Sequence, residues 1–221
     1  MQDAKRNAAL RAVSYVRDNL IVGLGTGSTT NFAIDFIAEK VKHGLKINAV
    51  PTSKETQARA IKLGIPLVKN FEKIDLTIDG ADEVDGHGNL IKGGGGALTR
   101  EKIVAAATRK EIIIVDESKL VSKLGRFPLP VEVLPFGWQF MQNAIEGLGC
   151  ISQLRKQGDQ IYVTNNGNYI LDCEFGEVND PKKLSREINS IPGVVENGLF
   201  CDLTDLVIVG ASGGETREIQ F

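Results

Sequence analysis

The sequence predicts an α/β protein with two domains, and two observations carry that expectation. Through the first half of the chain, short apolar runs alternate with stretches of helical spacing, the pattern of a mostly parallel sheet covered by helices on both faces. After about residue 125 the texture changes: Pro128, Pro130 and Pro135 cluster, and the strand and helix signals that follow take the order βαββαβ. The expected fold is therefore a Rossmann-like sheet over 1–125 and 203–221, with a smaller α+β ferredoxin-like domain over 126–202.

The elements follow in order. A helix carrying Ala9, Val13 and Val16 leads to a strand over 20–24. Ala33, Ile37 and Val41 keep four-residue spacing in the next helix, which runs into the strand INAV at 47–50. A helix from Lys54 to Leu63 precedes two further strands, IPLV at 65–68 and IDLTID at 74–79. Beyond a glycine-rich loop come a helix through EKIVAAATRK at 101–110 and the apolar strand EIIIVD at 111–116. In the second domain PVEVLP at 130–135 opens the order and GWQFMQNAIEGLG at 137–149 is its first helix. CISQLR at 150–155 and YILDCEF at 169–175 flank the turn-rich TNNGN, a helix follows in PKKLSREINS at 181–190, and VVENGLFC at 194–201 is the last strand. DLVIVGAS at 205–212 is again wholly apolar and is expected to rejoin the first sheet.

Composition narrows the function. Apolar residues make up 42% and charged residues 24%, with a formal net charge of -2, so no basic excess suggests a nucleic-acid partner. No apolar run approaches the roughly 20 residues of a membrane span, and the opening MQDAKRNAAL is charged where a secretory signal is hydrophobic. A cytoplasmic protein is expected, with no membrane partner. Cys150, Cys173 and Cys201 are far apart and read as structural thiols, and with no C-x-x-C pair and only His43 and His87 no metal site is expected.

Four segments carry chemistry. In GLGTGSTT at 23–30, Gly23, Gly25 and Gly27 give G-x-G-x-G with Ser28 where a dinucleotide fingerprint needs glycine, and no lysine precedes the hydroxyls as in a P-loop. The loop reads either as an anion cradle, with N–H groups at a helix start and the hydroxyls of Ser28, Thr29 and Thr30, or as a tight turn with a Ser/Thr cap. In DGADEVDGHGNLIKGGGG at 79–96, a calcium loop would need ligands where Ala81 and Lys92 stand, so calcium is rejected. Asp79 and Asp82 follow a strand at the carboxyl edge where open sheets bind ligands, while Asp85 and His87 look like turn residues. Gly93 to Gly96 suit close backbone approach to a ligand, or simply a flexible loop. Glu101 early in a helix is either a functional carboxylate or a residue favoured by the helix dipole, and Lys119 after IIIV is either a ligand contact or a solvated lysine.

Taken together, GLGTGST, DGADEVD, KGGGGALTREK and ESK, in this order and at these spacings, closely resemble type A ribose-5-phosphate isomerases. The βαββαβ segment and the returning strand extend the resemblance to nearly the whole chain. It implies reversible isomerisation of ribose 5-phosphate to ribulose 5-phosphate in the non-oxidative pentose phosphate pathway, with no metal or other cofactor, in a homodimer or homotetramer. It also implies Glu101 as the proton-transferring base. The substrate site would be lined by Thr26, Gly27, Ser28 and Thr29, by Asp79, Gly80, Ala81 and Asp82, and by Lys92, Gly93, Gly94 and Gly95, with Lys119 in contact. The N-terminal match is loose, and Lys5 is left out of the site.

The residue types suit that chemistry. Moving a carbonyl from C1 to C2 takes a proton from one carbon and returns it to the next through an enediolate, work for one carboxylate such as Glu101. Crowding with Asp79 and Asp82 and exclusion of water would raise its pKa against the pull of the helix dipole. Lys92 and the N–H groups of Gly93 to Gly95 would stabilise the enediolate, Asp82 would assist ring opening and Asp79 would hold hydroxyls. Gly25 to Thr29, with Lys119, would grip the phosphate. An aminosugar-phosphate deaminase and a sugar-phosphate sensor share parts of this pattern, but a sensor would need a DNA-binding helix-turn-helix for which the leading helix leaves no room.

Overall fold

The computed structural model of the chain describes residues 2–211 and 213–221. The chain begins with α1 (Gln2–Val13), β1 (Ile21–Leu24), α2 (Ser28–Lys42), β2 (Asn48–Pro51), α3 (Lys54–Lys62) and β3 (Leu76–Asp79). Two short strands, β4 (Glu83–Val84) and β5 (Leu90–Ile91), precede α4 (Leu98–Ala106), β6 (Glu111–Asp116) and a 3-10 turn at Glu117–Lys119. Next come β7 (Leu129–Val133), α5 (Trp138–Glu146), β8 (Ile151–Leu154) and a hairpin of β9 (Lys156–Gln157) and β10 (Gln160–Ile161). The chain continues through β11 (Tyr169–Glu174), α6 (Pro181–Asn189), β12 (Val194–Asn197), β13 (Leu199–Phe200), β14 (Leu206–Gly210) and β15 (Thr216–Gln220). It divides into two units, one of Met1–Ala81, Arg100–Leu120 and Leu203–Phe221, the other of Asp82–Thr99 and Val121–Asp202.

The first unit holds a six-stranded sheet in the order β15-β14-β6-β3-β1-β2, parallel throughout except for the antiparallel edge strand β15. Its central strands β3, β6 and β14 are buried along their length because both faces are covered. Val22 and Leu24 of β1 join Ile112 and Ile114 of β6 in a core with Ala8, Ala12 and Val13 of α1 and Ile34 and Ile37 of α2. Gly23 points the other way, where a Cβ would lie 2.8 Å from Val104 of α4, so this glycine lets a helix sit close against the sheet. The run 65–68 makes only an isolated bridge, Ala49 to Leu67, because Pro66 has no N–H to give to a ladder. β15 is polar and partly exposed, a strand the alternation of apolar runs does not reveal. Ser212, the end of the apolar run expected there, lies outside the described residues.

The second unit contains the expected βαββαβ order as β7-α5-β8-β11-α6-β12, an antiparallel sheet in the order β12-β7-β11-β8. Met141 and Ile145 of α5 and Ile188 of α6 bury against Val131, Val133, Leu171 and Cys173. The run 194–201 is not one strand. At Gly198 the chain leaves this sheet, since a Cβ there would meet the Lys92 carbonyl at 2.3 Å, and β13 pairs with β5 instead. That pairing draws 82–99 into the second unit, where the expectation had put it with the first. Val121 N donates to Val84 O at 2.9 Å, and the buried Glu83 carboxylate accepts from Gly125 N at 2.7 Å and Phe127 N at 2.6 Å. Strands of two residues are too short to announce themselves by alternation.

Candidate active site

In the first unit β6, β3 and β1 are neighbours, so the turns at their carboxyl ends share one edge of the sheet. These turns carry Lys119, Gly80 with Ala81, and Gly25 to Thr29. Asp79 organises the last two. It is 1% exposed and its Oδ1 accepts from Gly80 N at 2.7 Å and Thr26 N at 3.2 Å. A Cβ on Gly25 would lie 2.0 Å from that same oxygen, so the loop can rest on Asp79 only through glycine. The Thr26 hydroxyl stands 2.7 Å from Thr52 Oγ1 and 3.2 Å from Thr56 Oγ1, and Thr56 donates to Gly25 O at 3.0 Å.

The turn is not closed by a Ser/Thr cap. The N-cap of α2 is Gly27, at φ 132°, which offers no capping side chain, and Ser28 and Thr29 are the first helical residues rather than caps. The first-turn N–H groups of α2 therefore make its start electropositive, with small hydroxyl residues beside them. Lys5 of α1 adds a cation: its Nζ donates to Ser28 Oγ at 3.0 Å. Sequence spacing hides this residue, because α1 reaches the loop only by packing against α2.

Glu101 lies in the first turn of α4 and is 5% exposed. The helix runs antiparallel to β3, since Ile74 N, just before that strand, donates to Ala107 O at 2.9 Å. Glu101 is six residues back, about 9 Å along the axis toward the carboxyl edge. Lys119 ends the turn after β6, half-buried, and Asp116 shapes that turn by accepting from Ser118 N at 3.0 Å and from its hydroxyl.

The remaining residues expected in the site lie in the second unit. Asp82 N donates to Ile91 O at 2.8 Å, and its carboxylate Oδ2 accepts from Gly94 N at 2.8 Å. Gly93, at φ 105°, and Gly96, at φ 76°, bound a turn in which Gly96 N donates to Gly93 O at 2.9 Å. Lys92 is buried with its ammonium 5.5 Å from the centre of the Phe200 ring, while Gly94 and Gly95 are exposed. Asp85 accepts from His87 N at 2.8 Å and Asn89 N at 2.9 Å, a side-chain-closed turn. Of the cysteines Cys173 is buried and Cys150 and Cys201 half-buried; a hydrogen bond with Cys150 and burial both push the Cys173 thiol up, which keeps it inert.

Among the described residues no helix is long and apolar enough to cross a membrane. The sequence matches the family described as Ribose 5-phosphate isomerase A (phosphoriboisomerase A) over residues 48–214. It is 53% identical to Ribose-5-phosphate isomerase A of Gloeobacter violaceus, with 95% of this chain and 93% of that protein covered. The ribose 5-phosphate isomerase of Plasmodium falciparum superposes with a TM-score of 0.97 at 39% identity, covering 100% of this chain and 99% of that one. A further solved isomerase, a complex with phospho-erythronic acid, gives a TM-score of 0.95 at 40% identity over 99% of this chain and 98% of that one. Fold, motifs and full-length identity agree, and the chain belongs to the ribose 5-phosphate isomerase A family.

Proposed function

We propose that this protein interconverts ribose 5-phosphate and ribulose 5-phosphate by proton transfer through an enediolate. The observation that carries the mechanism is a buried carboxylate, Glu101, in the unit that also bears the Gly25–Thr29 anion loop with Lys5 beside it. Removal from water disfavours a charged carboxylate and makes it a stronger base toward a carbon-bound proton. Glu101 takes the proton from C2, holds it as the neutral acid, and returns it to C1; the reverse reaction uses the same group.

The phosphate binds at the first turn of α2, on Gly25 to Thr29, with Lys5 and Lys119 supplying positive charge. Because the phosphate is remote from the reacting carbons, its binding energy serves to place them. Asp79, which accepts from Thr26 N and Gly80 N, faces the sugar hydroxyls from the end of β3, and Gly80 and Ala81 lie beside it. Asp82 assists opening of the furanose ring. Lys92 and the N–H groups of Gly93 and Gly95 stabilise the enediolate oxygens, while the Gly94 N–H holds Asp82. A solved relative is a complex with phospho-erythronic acid, which joins a phosphate to a planar carboxylate shaped like an enediolate, and this supports a path through that intermediate. The same reading puts the enzyme in the non-oxidative pentose phosphate pathway, in the cytoplasm, as a homodimer or homotetramer.

The test is an isomerase assay on ribose 5-phosphate with wild-type protein and Glu101→Gln. Turnover should fall by about 10²–10⁴ with the phosphate still bound. A variant that kept near wild-type turnover would remove Glu101 from the mechanism.

A further inference from the structure

The loop Gly93 to Gly95 presents N–H groups only if its carbonyls are held elsewhere, and the second unit contains a device that holds them. Arg155, the residue after β8, donates from Nη1 to the Gly93 carbonyl at 2.9 Å and to the Gly94 carbonyl at 3.3 Å. The rest of its guanidinium is fixed by Asp172 of β11, which accepts from Nε at 2.9 Å and from Nη2. The Tyr162 hydroxyl lies 3.4 Å from the Gly95 carbonyl, and the guanidinium carbon is 5.9 Å from the centre of the Tyr162 ring. Three consecutive carbonyls are thus held on one side.

In a trans peptide the C=O and the N–H point in opposite directions. Fixing the Gly93 carbonyl therefore aims the Gly94 N–H away from Arg155, and that N–H is the one that meets Asp82. Fixing the Gly94 carbonyl aims the Gly95 N–H in the same manner. A cation donating into each carbonyl also polarises the peptide and strengthens the N–H at its other end. The arginine side chain is 13% exposed and Asp172 27%, so this charge pair is only weakly screened.

We propose that Arg155, locked by Asp172, is a positioning residue for the isomerisation: it orients and polarises the Gly94 N–H, which holds Asp82, and the Gly95 N–H, which stabilises the enediolate. The inference rests on the functional reading above and adds to it a residue that acts through the glycine loop and does not touch the sugar. A lysine cannot replace it, because one ammonium cannot engage Asp172 through a two-pronged fork and still bridge two carbonyls.

The test uses the full-length protein and Arg155→Ala. Donors that act on the enediolate and not on the bound sugar lower kcat rather than raise KM. We expect kcat to fall about tenfold to hundredfold with KM changed less than about threefold, and Arg155→Lys to recover little of it. A cavity of about 770 Å³, lined in part by Gly94, Arg155, Asp172 and Glu174, leaves room for a free guanidinium ion, which should restore part of the lost kcat of the alanine variant. A general loss of folding would not be rescued so. Unchanged kcat, full recovery with lysine, or failure of guanidinium to rescue a folded alanine variant would each overturn the proposal.

If Arg155→Ala does not fold, Asp172→Asn frees the fork and should lower kcat severalfold with KM unchanged; an unaltered kcat would count against the assignment. Should wild-type protein fail to isomerise ribose 5-phosphate, the functional reading is what fails. Amide hydrogen exchange at Gly94 and Gly95 then tests the tie by itself, with faster exchange expected in the Arg155 variant and equal exchange overturning it.

Discussion

Lys5 and Asp79 show how single residues shape the turn after β1. Asp79 is a buried carboxylate that accepts two backbone N–H groups, and its bulk excludes any side chain at position 25. Lys5 comes from a different helix and contacts the hydroxyl of Ser28. A lysine that meets only the phosphate contributes binding rather than chemistry. Lys5→Ala should therefore raise KM for ribose 5-phosphate about tenfold and leave kcat within about twofold, as read from initial rates across substrate concentrations; an unchanged KM would remove Lys5 from the phosphate site. Asp79 was legible in the sequence, because a carboxylate at the end of an apolar strand stands where open sheets bind ligands. Lys5 was not, since 23 residues separate it from Ser28 and nothing local records the contact.

At the scale of elements, two buried or half-buried carboxylates tie segments that the sequence leaves unrelated. Glu132 of β7 is fully buried and accepts from Thr99 at the start of α4 at 2.6 Å, Thr164 at 2.8 Å, Asn168 at 2.8 Å and Asn166 at 3.1 Å. This explains the TNNGN segment, which reads from sequence as a mere turn but supplies three of the four donors. Glu132→Gln removes the charge that four donors share and forces the Thr99 hydroxyl to give up donating to it, and should destabilise the protein by about 1–3 kcal/mol, measured as a lower urea midpoint. No shift in the midpoint would show the network to be dispensable.

Glu218 of β15 does similar work in the first unit, accepting from Arg11 at 2.6 Å and Tyr15 at 2.9 Å, and so fastening the edge strand to α1 and the turn after it. Burial pushes its carboxyl up, but the hydrogen bonds from Arg11 and Tyr15 outweigh this and hold it below the ordinary carboxylate range. A lowered carboxyl contributes stability that is present above the unfolded pKa of about 4.3 and is lost as pH falls through the folded value. The melting temperature of wild type should exceed that of Glu218→Gln near neutrality, with the gap closing as pH is lowered below the ordinary carboxylate range. A gap independent of pH would mean that the ion pair is not its source.

At the scale of the whole molecule, what the sequence determined by itself is the α/β architecture, the βαββαβ insertion, and four motifs at the carboxyl ends of strands or at the start of a helix. These were readable because each has a local cause: apolar strands for a sheet covered on both faces, glycine where backbone comes close, carboxylates where strands end. Tertiary structure alone decided that 82–99 belongs with the second unit, that β15 completes the sheet, and that Lys5 and Arg155 serve loops far from them in the chain. Each of those outcomes depends on partners separated by tens of residues. A hydrogen bond or a strand pair between distant segments leaves no periodicity in either one, so only the folded chain reveals it.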